Sequence, residues 1–333
     1  MTDTTLSTAT NPPHDEVVAM QTDLRSLGYL GRGLDGVFGA GTARGVRALT
    51  LDLLQPVHGA AVQVAAYNKG RVTAMTDSYT PAVAACVADM IADPAFPKLP
   101  RSANAAADNT AALADLRAAP SHIAPTPFLL AIVQQESGNQ HYALVDSFVT
   151  IGLDRNDPHF PDKITSRGYG LGQTTLFYHP PTAADVANVI VNVGGNVTEA
   201  YAELRTKFNT FVIGSGGADD RAAEHPGVPL RLCRYAASDA RYMNDCVACA
   251  RTAPKLNISC TPPNATPFYA GAPAGGVYAV TQYYANTHYA NVPDRAQLGC
   301  DWPYAVRRYN GSGVNSYHYQ AHILLNLAAL PAD

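Results

Sequence analysis

Long apolar runs, charge and tryptophan are all scarce in this sequence. No stretch approaches the roughly 20 consecutive apolar residues that a membrane-spanning helix needs, so no membrane span is expected. Charged residues make up 15% of the 333 positions, the formal net charge is -4 and the single Trp is Trp302. Lys and Arg form no run, so the basic footprint of a nucleic-acid binder is missing and nucleic acid is not an expected partner. The opening MTDTTLSTATNPPHDE has neither the basic region nor the apolar core of a secretory signal. Work at a cell wall would then call for another delivery route. Rich in Thr, Ser and Pro, residues 1–14 are expected to form a flexible tail. His179, His288, His318 and His322 show no metal-ligand spacing, and neither a metal nor a cofactor is expected.

What is present is enough chain for about two folded units. Six cysteines are distributed unevenly: Cys86 stands alone, while Cys233, Cys246, Cys249, Cys260 and Cys300 fall in the last third. Two readings compete, disulfides that staple a loop-rich insertion and a structural zinc site. A single C-x2-C pair at 246–249, without a second close pair, favours disulfides, which would imply an oxidising final compartment.

Residues 17–54 carry the first motif. Val17, Met20, Leu24 and Leu27 keep helical spacing, Gly28 ends that helix, and Val46, Leu49 and Leu53 resume the period after a Gly-rich turn. Through LGY at 27–29 and DGVFGAGT at 35–42 the stretch resembles the peptidoglycan-binding domain family, a three-helix wall-binding module. Asp35 and Gly36 are read as a turn, Phe38 as the plug of a small core and Thr42 as the N-cap of the next helix. The resemblance implies glycan strands of peptidoglycan as partner; ALTLDLLQ departs from it, since an aromatic before the Gln is usual. Residues 57–120, Ala-rich and punctuated by Pro94, Pro97 and Pro100, read as helices and a linker without chemistry.

FLLAIVQQESGNQ, residues 128–140, is the second feature. Thr126 is positioned to cap a helix with Pro127 at its first turn, and Leu129, Ile132 and Val133 define its apolar face. Glu136, four after Ile132 and three after Val133, projects from the same face. A carboxyl there is either a structural group paired with an Arg or the backbone, or an acid whose pKa burial raises toward the neutral range. Periodicity leaves both open.

Two further elements follow in order. PFLLAIVQQES resembles the catalytic helix of the lysozyme-like superfamily, namely soluble lytic transglycosylases and goose-type lysozymes, where a Glu-Ser pair closes the helix. SRGYGLGQTT, residues 166–175, is similar to that family's Gly-Leu-Met-Gln element with Gly172 in place of Met. YAVRRYNGSGVNSYHYQAHILLNL, residues 304–327, is similar to its Tyr-Asn-Gly element and the helix that closes the cleft. The resemblance implies a muramidase that cleaves the β-1,4 bond between N-acetylmuramic acid and N-acetylglucosamine, with Glu136 as general acid. It also implies substrate contacts from Ser137, Tyr169, Gly170, Leu171, Gln173, Tyr309 and Asn310, with Tyr309 reaching toward the acid. The loop glycines would leave backbone N–H and C=O groups open to sugar. Where goose-type enzymes place an aspartate this chain has Thr175, and Asp146, Asp154, Asp157 and Asp162 lie nearby in sequence as candidates for a second carboxylate, each read first as a solvated loop residue. A lytic transglycosylase needs no such partner, because the 6-hydroxyl of the sugar itself attacks.

The expected architecture is therefore mainly α. A peptidoglycan-binding module at 15–56 and a helical linker at 57–120 precede an α-rich lysozyme-like domain at 121–333, with a Cys-containing insertion at about 210–300. Alternatives from other classes are a non-catalytic wall-binding protein on the same fold and, from the likeness of RGYGLGQTT to its Gly-Arg-Gly loop, a family 19-like chitinase. A wall-directed activity without a signal fits an antibacterial toxin or a lysin, with a cognate immunity protein and a secretion apparatus as possible partners.

Overall fold

The computed structural model describes residues 4–10, 12–31, 33–60, 62–119, 123–154, 163–214, 220–259, 287–311 and 314–331. In chain order these form α1 (His14–Ser26), α2 (Ala40–Leu54), α3 (Pro81–Ala92), α4 (Ala105–Ala118), α5 (Thr126–Ser137), strands β1 (Ile151–Asp154), β2 (Ser166–Tyr169) and β3 (Thr174–Leu176), α6 (Ala183–Asp185), α7 (Val193–Lys207), α8 (Asp220–Glu224), α9 (Cys246–Thr252), β4 (Lys255–Ser259), β5 (His288–Pro293), α10 (Trp302–Tyr309) and α11 (Val314–Ala329). The mainly α expectation holds. The two compact units do not follow the expected boundary at 120/121. One comprises residues 1–115 and 140–196, the other 116–139 and 197–333.

In the first unit, Val17, Met20, Leu24 and Leu27 of the α1 region are at most 3% exposed and meet Val46, Leu49 and Leu53 of α2 and Val83, Val87 and Met90 of α3. The period predicted for residues 17–54 is thus the core face, and α3, from the expected linker, completes that core. Thr80 caps α3 by accepting from the Val83 amide at 3.3 Å. Gly28, at φ 77°, ends the α1 region as expected. The expected tail is corrected from residue 4 onward. Leu6 is fully buried in the same core and exchanges two backbone hydrogen bonds with Tyr79, at 3.0 and 2.8 Å. A single Leu with a core slot anchors an otherwise polar segment.

This unit also carries a small antiparallel sheet in the order β1-β2-β3, with Gly152 opposite Gly168 and Gly168 opposite Thr175. Backbone bonds of residues 99–102, to Ser26 O on one side and to residues 147 and 149 on the other, tie it to the helical core, and side chains add to them. The Arg25 guanidinium donates to the Asp146 carboxylate in an ion pair that is almost wholly buried, and Arg167 Nε donates to Gly28 O at 2.8 Å while its guanidinium stacks on Tyr29.

The second unit is built on α5, α10 and α11. Asn326 Nδ2 donates to Ala131 O at 3.4 Å and Tyr319 reaches Glu136. Seven residues forward on α11 therefore match five residues backward on α5, and the two helices run antiparallel. A buried ionic network ties α8 to α10 and to the Arg295 turn. Asp220 accepts from Arg295 at 2.7 Å and from Arg307 at 2.6 Å, while Glu224 accepts from Arg295 Nε at 3.0 Å and from the Tyr304 hydroxyl. Arg295 is fully buried, so these bonds offset a large desolvation cost.

Candidate active site

Glu136 lies in the last turn of α5, and its position follows from local sequence. Pro127 opens the helix, Phe128, Leu129, Ala131, Ile132 and Val133 bury one side, and Gly138 at φ 63° stops it in the left-handed conformation. Thr126 is not the cap: it is the first helical residue, and its hydroxyl bonds the Tyr201 hydroxyl at 2.7 Å. Ser137 Oγ donates back to Val133 O at 3.0 Å. Gln134 and Gln135 face solvent, while Glu136 is half-buried as a residue.

Its carboxyl group is the functional feature. Tyr319 Oη donates to Glu136 Oε1 at 2.6 Å. Burial pushes the Glu136 pKa above the ordinary carboxylate range, and the Tyr319 bond, which favours the anion, offsets only part of that rise. Both tyrosines beside it are held firmly protonated. Burial raises Tyr319 most, with the Glu136 charge adding to it. Tyr309, at the end of α10, is raised by burial and then by the charges of Glu136 and Glu203. Tyr309 thus lies within electrostatic reach of the acid, and Tyr319 bonds it directly. Periodicity holds the signal for Tyr319: it is seven before Asn326 and so shares the α11 face turned to α5. Asn310 and Gly311 form the expected turn after α10, with Gly311 at φ 92°. Glu203, in this same unit on α7, pairs with Lys207 at 2.7 Å.

The GYGLGQTT stretch belongs to the first unit, as the turn between β2 and β3. The amides of residues 170–173 all bond within the protein. Gly170 N donates to Thr150 O at 2.9 Å, Leu171 N to His141 Nδ1 at 3.2 Å, Gly172 N to Asn196 Oδ1 at 2.9 Å and Gln173 N to Gly170 O at 3.2 Å. The expectation that these N–H groups hold sugar is therefore corrected. The glycines serve internal packing. A Cβ on Gly170 would stand 2.6 Å from His141 Cε1, and one on Gly168 would stand 2.9 Å from Gln173 Oε1. Gln173 folds back over its own sheet and spends its amide on Gly170 O at 2.8 Å. Tyr169 and Leu171 are fully buried, so neither offers a face to a ligand.

His141 and Asn196, which the sequence did not single out, are the hubs of this turn. Burial lowers the His141 pKa, leaving a neutral ring that accepts at Nδ1 and, by elimination, donates at Nε2 to Ile190 O at 2.8 Å. Asn196 Nδ2 donates to Tyr169 O at 2.9 Å. Of the proposed second acids, Asp146 is neither solvated nor free but bound to Arg25. Thr175 is exposed, its hydroxyl on Gln173 O at 3.2 Å. Asp154 is exposed at the end of β1, and Asp157 and Asp162 lie outside the described residues.

Around the wall-binding motif the geometry is coherent. Asp35 Oδ1 accepts from the Val37 amide at 3.0 Å and from Gln21 Nε2 at 2.8 Å, Gly36 is at φ 67°, and Phe38 is 6% exposed in the core. Thr42 is not the cap. α2 begins at Ala40, and the Thr42 hydroxyl instead accepts from Gln21 Nε2 at 3.1 Å. Residues 13–49 match the family of peptidoglycan binding domains. That match supports the N-terminal module and associates the protein with the cell wall. No curated protein and no solved structure matches the chain. Among the described residues no helix is long and apolar enough to cross a membrane, and no group of three or more His, Cys, Asp or Glu is arranged to hold a metal ion.

Proposed function

We propose that the protein cleaves the glycan strands of peptidoglycan at the N-acetylmuramic acid to N-acetylglucosamine bond, with Glu136 as general acid and residues 13–49 anchoring it to the wall. The observation that carries this reading is the Glu136 carboxyl, desolvated at a helix end, raised in pKa and oriented by Tyr319. A carboxylic acid that keeps its proton toward neutral pH can pass it to a leaving glycosidic oxygen, and the same group without burial would be spent as an anion. Tyr309 and Tyr319 stay neutral beside it and supply hydroxyl groups rather than charge. The scissile bond breaks as the proton arrives, and the oxocarbenium-like centre is captured by water or by the sugar's own 6-hydroxyl.

Digestion of purified sacculi by wild type and by Glu136→Gln, with mass spectrometry of the fragments, tests the reading. Wild type releases muropeptides, and the variant releases them roughly 100- to 10,000-fold more slowly. Reducing muramic ends identify a hydrolase and anhydro ends a lytic transglycosylase. Equal inactivity of the two proteins would sink the enzymatic reading in favour of a wall-binding protein, and cleavage of chitin oligomers alone would favour a chitinase. The reading extends to an antibacterial toxin or lysin. Export of wild type, and not of Glu136→Gln, to the periplasm of a bacterial host then lyses it, and indifference of the host removes that role.

A further inference from the structure

Four cysteines scattered over the sequence come together in the second unit. Cys233, Cys246, Cys249 and Cys300 line one pocket. Three of them, Cys246, Cys249 and Cys300, are 7% exposed, whereas Cys233 is half-buried and open to a reagent. All are thiols in the structure. The segments that carry them are held together without help from sulfur. Asp301 N donates to Arg231 O at 2.8 Å, Trp302 Nε1 to Leu232 O at 3.0 Å, and the Tyr235 hydroxyl to Asp245 Oδ2 at 2.9 Å. Cys233 and Cys246 also share a neighbour, since Met243 N donates to Cys233 Sγ at 3.3 Å and Cys246 Sγ donates to Met243 O at 3.7 Å.

We propose that these four thiols close into two disulfides, each joining one cysteine of α9 to Cys233 or to Cys300. The shared Met243 favours the crossed pairing, because it sets Cys233 beside Cys246 and leaves Cys249 for Cys300. Cys246 and Cys249 are three apart on α9, where side chains share a face with Cβ atoms about 5–6 Å apart; a disulfide holds Cβ atoms at about 3.5–4.5 Å. A bridge within the C-x2-C would have to draw those Cβ atoms together at the first turn of α9. For each bond two thiols lose their protons and two electrons to an external small-molecule disulfide, which leaves as two thiols, and one S–S bond forms in the protein. Cys233 is the entry point because the other three are shielded. Burial also raises the pKa of Cys246, Cys249 and Cys300, the last to about 12, so they are poor first nucleophiles. The bonds would fasten α9 and the start of α10, whose other end carries Tyr309. The inference does not depend on the proposed catalysis.

Full-length protein incubated with oxidised glutathione, then unfolded and alkylated without reduction, is the test. Two thiols, Cys86 and Cys260, are expected to react, the intact mass to be about 4 Da lower than that of the reduced protein, and peptide maps to show only crossed pairs. Reduction is expected to lower Tm by roughly 5–15 °C, a shift that Cys86→Ser retains and Cys300→Ser diminishes. The proposal is overturned by six reactive thiols after oxidation, by a bridge between Cys246 and Cys249, by a bridge to Cys260, or by zinc that co-purifies at one per chain and shields the four cysteines from alkylation.

Discussion

Tyr319 Oη stands 2.6 Å from Glu136 Oε1 and donates to it. The bond favours the anion, while burial favours the acid, and burial wins. The phenol thus tempers the rise that burial causes and orients the carboxyl.

Tyr319→Phe removes the one bond that lowers the Glu136 pKa. The acid then holds its proton to higher pH, and the alkaline limb of the pH profile of sacculus cleavage moves upward. The profile of kcat/KM against pH for wild type and variant checks this. An unmoved or acid-shifted limb would show that Glu136 is not the group titrating.

The raised pKa also has a stability signature. The folded protein holds the Glu136 proton to a higher pH than the unfolded chain. Its contribution is therefore complete below the unfolded pKa and is lost as pH rises through the folded value. Glu136→Gln keeps an oxygen for Tyr319 and removes the titration. At pH 7–8 the variant should be more stable than wild type by on the order of 1 kcal/mol, about 2–4 °C in Tm, with the gain vanishing near pH 4. Thermal melts across that range decide it; a variant that is less stable at both ends refutes the assignment.

Asp220 bridges Arg295 and Arg307 inside the second unit, at 2.7 and 2.6 Å. Asp220→Ala strips a shared carboxylate from two buried guanidinium groups and is expected to cost about 3–5 kcal/mol. Denaturant titration measures it, and a loss below about 1 kcal/mol would mean the network relaxes around the gap.

What the sequence disclosed was periodic, and what it concealed was long-range. The α1 and α2 core faces, the end of α5 at Gly138, and the inward projection of Glu136 all follow from spacing and turn chemistry, and each is present. Leu6 was hidden because one apolar residue in a polar segment has no period, and its partner Tyr79 lies far along the chain. Asp146 read as a solvated loop residue because nothing near it in sequence announces Arg25. The internally bonded amides of 170–173 were misjudged for a similar reason. Glycines in a turn look the same whether they admit a ligand or make room for His141 and Gln173.

Gln21 offers the most direct test of the wall-binding module. It is 1% exposed, and its side chain reaches four groups of the Gly-rich turn. Its Nε2 donates to Asp35 Oδ1 at 2.8 Å, to Val37 O at 3.1 Å and to Thr42 Oγ1 at 3.1 Å, while its Oε1 accepts from Gly36 N at 3.0 Å. Gln21→Ala strips the buried Gly36 amide and Thr42 hydroxyl of that partner, while the exposed Asp35 and Val37 groups turn to water, at a cost of about 1–3 kcal/mol, and frees the turn between α1 and α2 from its fixed shape. If that turn is what meets the glycan, co-sedimentation with purified sacculi should weaken several-fold at a temperature where the variant is still folded by circular dichroism. Retention equal to wild type would move wall recognition away from residues 35–42.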